Sequence, residues 1–164
     1  MADIQPFRGL RYRLSQDTDL DQLICPPYDI ISPELQGELH QRSPYNAVRL
    51  ELGIELPTDS TNDNRYTRAA QLLEEWLSQG ILLIEEETSF YLLQEDFSHN
   101  GRPMTRRSIL AAVGLEEFSR GIVLPHEETS QGPKRDRMEL LAATKANLSP
   151  LMSIYRDPSG QIRS

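Results

Sequence analysis

Residues 63–84 read Asp63-Asn-Arg-Tyr-Thr-Arg-Ala-Ala-Gln-Leu-Leu-Glu-Glu-Trp-Leu-Ser-Gln-Gly80-Ile-Leu-Leu-Ile84. Tyr66, Ala69, Ala70, Leu73, Trp76 and Leu77 recur at the spacing of one helix face. Asp63 or Asn64 can cap the start, and Gly80 can close the end. The stripe reads as core, and the lone Trp76 needs no cofactor to explain it. Residues 81–84 follow as a short buried strand. A helix that runs straight into a strand sets the class as α/β.

Working outward, β-rich runs at 90–97 and 105–117 flank His99-Asn100-Gly101-Arg102. Asn-Gly between two such runs is the strongest short-range hairpin signal. His99 then sits exposed at the tip, and Arg106 and Arg107 alternate faces on the return strand. Upstream, residues 54–64 are polar and read as a surface loop. Residues 46–52 alternate Val48, Leu50 and Leu52 against Arg49 and Glu51, the pattern of a half-buried strand. Ser32 as N-cap and Pro33 at the first helical position open a helix with Leu35 and Leu39 on its apolar stripe, ending near Ser43-Pro44. Residues 17–23 read as one helical turn capped by Asp17 or Thr18. Residues 7–14 alternate as a strand, with Arg8 and Arg11 at solvated edges. Downstream, residues 122–124 and 151–155 read as strands, and a helix runs from Pro133 to about Asn147. The expected fold is α/β, close to α+β: a mixed, largely antiparallel sheet with three main helices.

The 164 residues suit a single domain spanning 1–164. No apolar run approaches the roughly 20 residues that cross a bilayer, and the N-terminus lacks the pattern of a signal peptide. Cys25 stands alone, which fits a reducing cytoplasm. The net charge of −8 argues against a broad nucleic-acid surface and against an anionic membrane. A local basic pocket is compatible with it. A hairpin begun at Asp157-Pro-Ser-Gly160 and not finished suggests the N-terminal portion of a longer protein. Such a portion should expose an apolar patch or an open strand edge.

Polar chemistry concentrates in residues 123–137, Val-Leu-Pro-His-Glu-Glu-Thr-Ser-Gln-Gly-Pro-Lys-Arg-Asp-Arg. A strand ending at Pro125 and a helix starting at Pro133 would place this cluster in a strand-to-helix loop. A helix start offers unpaired N–H groups and a positive dipole end. Lys134 and Arg137, three residues apart, share a face of its first turn and can neutralise phosphate oxygens. His126 and Glu127 can serve as general base and orienting partner. Glu127 and Asp136 should point toward the cations or His126 and away from an anion. The helical zinc motif needs a second histidine where Ser130 stands, so no metal is assigned. A serine-hydrolase elbow, a P-loop and a dinucleotide fingerprint are missing from the sequence. The competing reading is local pairing of Glu127, Glu128 and Asp136 with Lys134, Arg135 and Arg137 on a solvated surface. Elsewhere, Cys-Pro-Pro-Tyr-Asp at 25–29 is a rigid way to hold Tyr28 and Asp29 at fixed angles. Tyr28 or Asp29 is expected near His126 and Glu127.

Several motifs in order resemble one family. They are Pro-Phe-Arg-Gly-Leu-Arg-Tyr at 6–12, Cys-Pro-Pro-Tyr-Asp-Ile-Ile-Ser at 25–32 and Ser-Pro-Tyr-Asn-Ala-Val-Arg-Leu at 43–50. Leu-Pro-His-Glu-Glu-Thr at 124–129, Lys-Arg-Asp-Arg at 134–137 and Asn-Leu-Ser-Pro at 147–150 complete the set. Together the chain resembles a bacterial and archaeal family of unknown function, domain of unknown function 1015, over essentially its whole length. The resemblance implies a second half carrying Asp-Gly-His-His-Arg-Tyr, similar to the signature of ParB-like and sulfiredoxin-like proteins. Some proteins with that signature bind nucleotides or transfer phosphate. The match carries over Pro26, Pro27, Tyr28, Asp29, Asn46, His126, Glu127, Thr129, Lys134, Asp136 and Arg137, without establishing a role for any of them. The match gives membership and motif positions and no activity. The expected function, read with the cations at the helix start, is a phosphate- or nucleotide-binding domain of a cytoplasmic protein, part of a phosphotransferase when full length, with no cofactor named. The alternative is a non-catalytic binding or regulatory module. Tyr28, Asp29, Asn46, Thr129, Lys134, Asp136 and Arg137 are the candidate ligand-binding residues, and His126 and Glu127 the candidate catalytic pair.

Overall fold

Asn64 decides where the central helix starts. Its side chain accepts from the backbone N–H groups of Tyr66 (3.0 Å) and Thr67 (3.2 Å), and Thr67 Oγ1 accepts from Asn64 N–H in return. The computed structural model describes residues 2–125 and 131–156. In chain order the elements are β1 Ile4–Gln5, β2 Leu10–Tyr12, α1 Leu20–Leu23, a 3-10 turn Tyr28–Ile30, α2 Pro33–Arg42, α3 Val48–Glu51 and α4 Arg65–Ser78. Then come β3 Leu82–Ile84, β4 Tyr91–His99, β5 Arg102–Leu110, β6 Ala112–Val113, a 3-10 turn Phe118–Arg120 and α5 Gln131–Thr144.

The expected class holds: helices and antiparallel strands are mixed, with α2, α4 and α5 as the three main helices. The strands form three two-stranded antiparallel ladders, β1–β6, β2–β3 and β4–β5. The short β1 and β2 each find a single partner, so no wide sheet is built among the described residues. The core sits where α4 meets β3 and α3. Leu50, Leu73, Trp76 and Leu82 are buried together, with Tyr12, Tyr45 and Leu148 packed around them. Trp76 is 2% exposed and meets the Tyr45 ring edge-on at 5.9 Å between centroids. Gly80, in the left-handed region at φ 69, closes α4.

Several expectations are corrected. The predicted strand at 46–52 is the helical turn α3. Asn46 Oδ1 accepts from Val48 N–H (3.0 Å), which starts a helix, and four residues are too few for period to decide. The predicted strand at 122–124 is not formed: Ile122 and Val123 are bends, Leu124 is irregular, and none has a strand partner among the described residues. Helix α5 already runs at Gln131, so Pro133 is not its first residue. Proline is tolerated throughout a first turn, where N–H groups have no intrahelical acceptor. The helix ends at Thr144 and not near Asn147, because Lys145 adopts φ 56. Residues 151–155 form no strand. The cap of α1 is Asp19, while Thr18 accepts from Ser15 N–H. The return strand stops at Leu110, and after Ala111 the chain pairs with β1 as β6, Ala112–Val113. Arg8 and Arg11 both reach Glu85, one through its carbonyl and one through its carboxylate. The hairpin turn falls where expected, with Asn100 at φ 51 and Gly101 at φ 74. The turn at 157–160 lies outside the described residues.

A half-buried imidazole gives the fold a pH dependence. His40 lies in the last turn of α2, and its Nε2 has no partner among the described residues. Arg49 on α3 donates to the His40 carbonyl at 2.5 Å. Burial, and next the Arg49 charge, hold the His40 pKa below its ordinary 6.5. The folded chain therefore takes up this proton less readily than the unfolded chain. The stabilisation is complete above the unfolded pKa and is lost as pH falls through the folded one. Melting temperatures measured between about pH 5 and 7.5 should fall on acidification, and His40→Gln should flatten that slope. An unchanged slope in the variant would assign the effect to other groups.

Candidate functional site

Pro26 and Pro27 hold the chain extended, and the following single 3-10 turn presents the Tyr28 ring. That ring covers the Arg137 guanidinium, 3.9 Å from Cζ to the centroid. Arg137, in the second turn of α5, spends its donors on two carboxylates. Nη1 donates to Glu51 Oε1 (2.8 Å), Nη2 to the Glu51 carbonyl (3.0 Å) and to Asp136, and Nε to Asp136 Oδ2 (2.8 Å). Glu51 is 7% exposed and also accepts from the Ser149 hydroxyl. One guanidinium thus ties together α5, α3, the Pro-Pro turn and, through Glu51, the segment after α5.

Asp136 carries the network on to α4. Its Oδ1 accepts from the Tyr66 hydroxyl (2.9 Å) and from Arg65 Nη2 (2.5 Å). Arg65 Nη1 also faces Glu55 at 3.2 Å. Burial works against the Arg65 charge, but the Tyr66 hydroxyl, Asp136 and Glu55 outweigh it and keep its pKa above the ordinary value. Burial pushes the Tyr66 phenol up, and Asp136 adds to that rise. Burial, then the Glu51 charge, raises the Cys25 thiol to about 11, so it stays protonated at neutral pH and is a poor nucleophile. Within this cluster two guanidiniums, Arg65 and Arg137, meet three carboxylates, Glu51, Glu55 and Asp136.

Beside the network, an open cleft of about 450 Å³ lies between the first turns of α4 and α5. Thr61, Asn64, Arg65, Gly132, Arg135 and Glu139 are among its lining residues. Its lining mixes the guanidiniums of Arg65 and Arg135 and the Thr61 hydroxyl with the carboxylates of Asp136 and Glu139. The lining is polar and of mixed charge.

The structure brings Tyr28, Asp136 and Arg137 together. Asp136 points at two cations, and Arg137 at the fold. Asp29 is exposed on the 3-10 turn, and Lys134 is exposed on the first described turn of α5. Asn46 is 0% exposed, and its side chain serves backbone groups: Nδ2 donates to the carbonyls of Gln22 (2.8 Å) and Ile24 (3.0 Å). His126, Glu127 and Thr129 lie outside the described residues, and with them the expected approach of Tyr28 or Asp29 to His126. Sequence reasoning missed Glu51, Arg65, Ser149 and Arg135. The strand pattern had put Glu51 outward. Tyr66 was placed in the core stripe, although a tyrosine at a helix start usually needs a partner for its hydroxyl.

The model of a family described as a protein of unknown function (DUF1015) matches residues 4–164. No curated protein and no solved structure matches the chain.

Proposed function

The chain belongs to this family of unknown function, and from that premise we propose that the cleft between α4 and α5 binds a phosphate-bearing small molecule such as a nucleotide. The observation that carries the proposal is the cleft's lining, where the exposed Arg135, with no ion pair among the described residues, stands with Thr61 and the ion-paired Arg65 beside the carboxylates Asp136 and Glu139. Arg135 and Lys134 supply positive charge on the first described turn of α5, and the dipole of that helix adds to it. Arg137 is assigned a supporting role, since its donors already hold Glu51 and Asp136. Residues 126–130 lead directly into this turn. On the proposed reading His126 and Glu127 act on the ligand as base and orienting partner, and Thr129 contacts its phosphate. The protein would then be the phosphate-binding part of a cytoplasmic phosphotransferase completed by a further half. Among the described residues no helix is long and apolar enough to cross a membrane.

One observation favours a second reading. The network around Arg137 closes on itself, as expected for a non-catalytic module whose polar cluster secures the fold. Calorimetric titration of inorganic phosphate, ADP and ATP separates the two. Wild type should bind, and Arg135→Ala should weaken binding about ten- to a hundredfold, the loss of one charge-assisted contact. Its stability should stay within about 0.5 kcal/mol of wild type, as for an exposed position. Equal binding by both proteins would move the site elsewhere, and no binding by wild type would leave the non-catalytic module.

A further inference from the structure

The β4–β5 hairpin has one protected edge and one open edge. Its register pairs His99 with Arg102 across a two-residue turn. In such a turn the flanking pair is the hydrogen-bonded one, and such pairs alternate along the ladder. Phe97–Met104, Glu95–Arg106 and Leu93–Ser108 are therefore hydrogen-bonded pairs as well. The backbone N–H groups of Leu92, Gln94, Asp96 and Ser98 point away from β5. The outward positions on β5 are Pro103, Thr105, Arg107 and Ile109. Pro103 has no N–H to offer and Arg107 is charged, two devices that blunt an edge. No proline stands in β4.

The open edge has a definite chemistry. Among the described residues β4 pairs with β5 alone. Leu92 is 84% exposed on one face, and Leu93 and Phe97 are exposed on the other. A two-stranded ribbon of this length with apolar groups on both faces is marginal in water. Glu95 holds Arg106 through both oxygens, at 2.7 Å each. Asp96 accepts only from neutral groups, the Thr105 hydroxyl (2.6 Å) and the Gln94 amide (3.2 Å). These two bonds, and after them the nearby Arg107 charge on β5, hold the Asp96 carboxyl below the ordinary range, but Asp96 makes no direct ion pair among the described residues.

We infer that the outer edge of β4 receives a third, antiparallel strand from a partner polypeptide, basic opposite Asp96 and apolar opposite Leu92, Leu93 and Phe97. Strand β5 already meets much of the apolar part of this pattern on the inner edge, with Met104 and Ile109 opposite Phe97 and Leu92, and it places Arg106 opposite Glu95. The chain's net charge of −8 further favours a basic partner. Main-chain hydrogen bonds would supply affinity, and the alternating side chains selectivity.

The probe is a capped peptide copying residues 104–110, Met-Thr-Arg-Arg-Ser-Ile-Leu, with a control in which glutamate replaces both arginines. Each is titrated into the labelled protein and followed by amide NMR. The basic peptide should shift the amides of Leu92, Gln94, Asp96 and Ser98, and the acidic one should bind at least about tenfold more weakly. Gln94→Pro removes one outward N–H at a position where an edge tolerates proline, and it should weaken the basic peptide by about tenfold or more. If that variant loses the hairpin, Asp96→Asn should still weaken the basic peptide and leave the acidic one unaffected. The inference falls if neither peptide binds, if both bind alike, or if the shifts map away from β4. It also falls if sedimentation finds a dimer whose β4 amides are already protected by a second copy.

Discussion

Arg137→Ala should lower the unfolding free energy by about 3 kcal/mol in urea titration, the lower end of the cost of breaking a buried ion pair. The side chain does three things at once. It neutralises Glu51, which is buried; it bonds the Glu51 carbonyl in α3; and it carries the Tyr28 ring. Alanine would leave Glu51 with the Ser149 hydroxyl as its side-chain partner. A chain of this size commonly has only about 5–15 kcal/mol of stability, so the loss should be visible as a large shift in midpoint. The double variant Glu51→Leu with Arg137→Met removes both charges at similar volume and should recover most of the loss, because the desolvation cost disappears with the attraction. A change below about 0.5 kcal/mol in Arg137→Ala would show that the network does not secure the fold. A residue that served only a ligand would leave stability unchanged on substitution. The four hydrogen bonds of Arg137, to Glu51 and Asp136, tie it to the fold instead.

Asn46→Ala should cost about 3 kcal/mol, or a fall of roughly 6–12 °C in melting temperature. The side chain is fully buried and satisfies three backbone groups from two segments: the carbonyls of Gln22 and Ile24 and the N–H of Val48. Each would be left without that partner in a region that water reaches poorly. Asn46→Asp separates the two halves of this role. A carboxylate still accepts from Val48 N–H but cannot donate to two carbonyls, so it should be at least as destabilising as alanine. Phosphate affinity of either folded variant should match wild type. A stable Asn46→Ala protein with weakened phosphate binding would instead make Asn46 a ligand.

What could be read from the sequence follows from how local each signal is. Asn64, the apolar stripe to Leu77 and Gly80 specify α4 within one short stretch, and the structure agrees to within a residue or two. Asn100-Gly101 fixes the hairpin for the same reason, since both residues adopt positive φ. The segment at 46–52 misled because its alternation of Val48, Leu50 and Leu52 suits a strand, while the deciding bond comes from the Asn46 side chain. Arg137 and Asp136 were visible as charged residues near a helix start. Their partners Glu51 and Arg65 lie 86 and 71 residues away in sequence. No local pattern announces a pairing at that separation. The strand predicted at 151–155 has the right side chains, with Leu151 and Ile154 at 96% and 90% exposure, but strand structure requires a neighbour.

The proposed phosphate site is tested most directly by locating the anion. Inorganic phosphate titrated into uniformly labelled protein, and followed by amide NMR, should shift Thr61, Asn64, Gly132 and Arg135 together along one saturating curve. Gln22, Ile24 and Val48, around buried Asn46, should stay in place. Shifts absent at saturating phosphate, or confined to residues outside the α4–α5 cleft, would contradict the account.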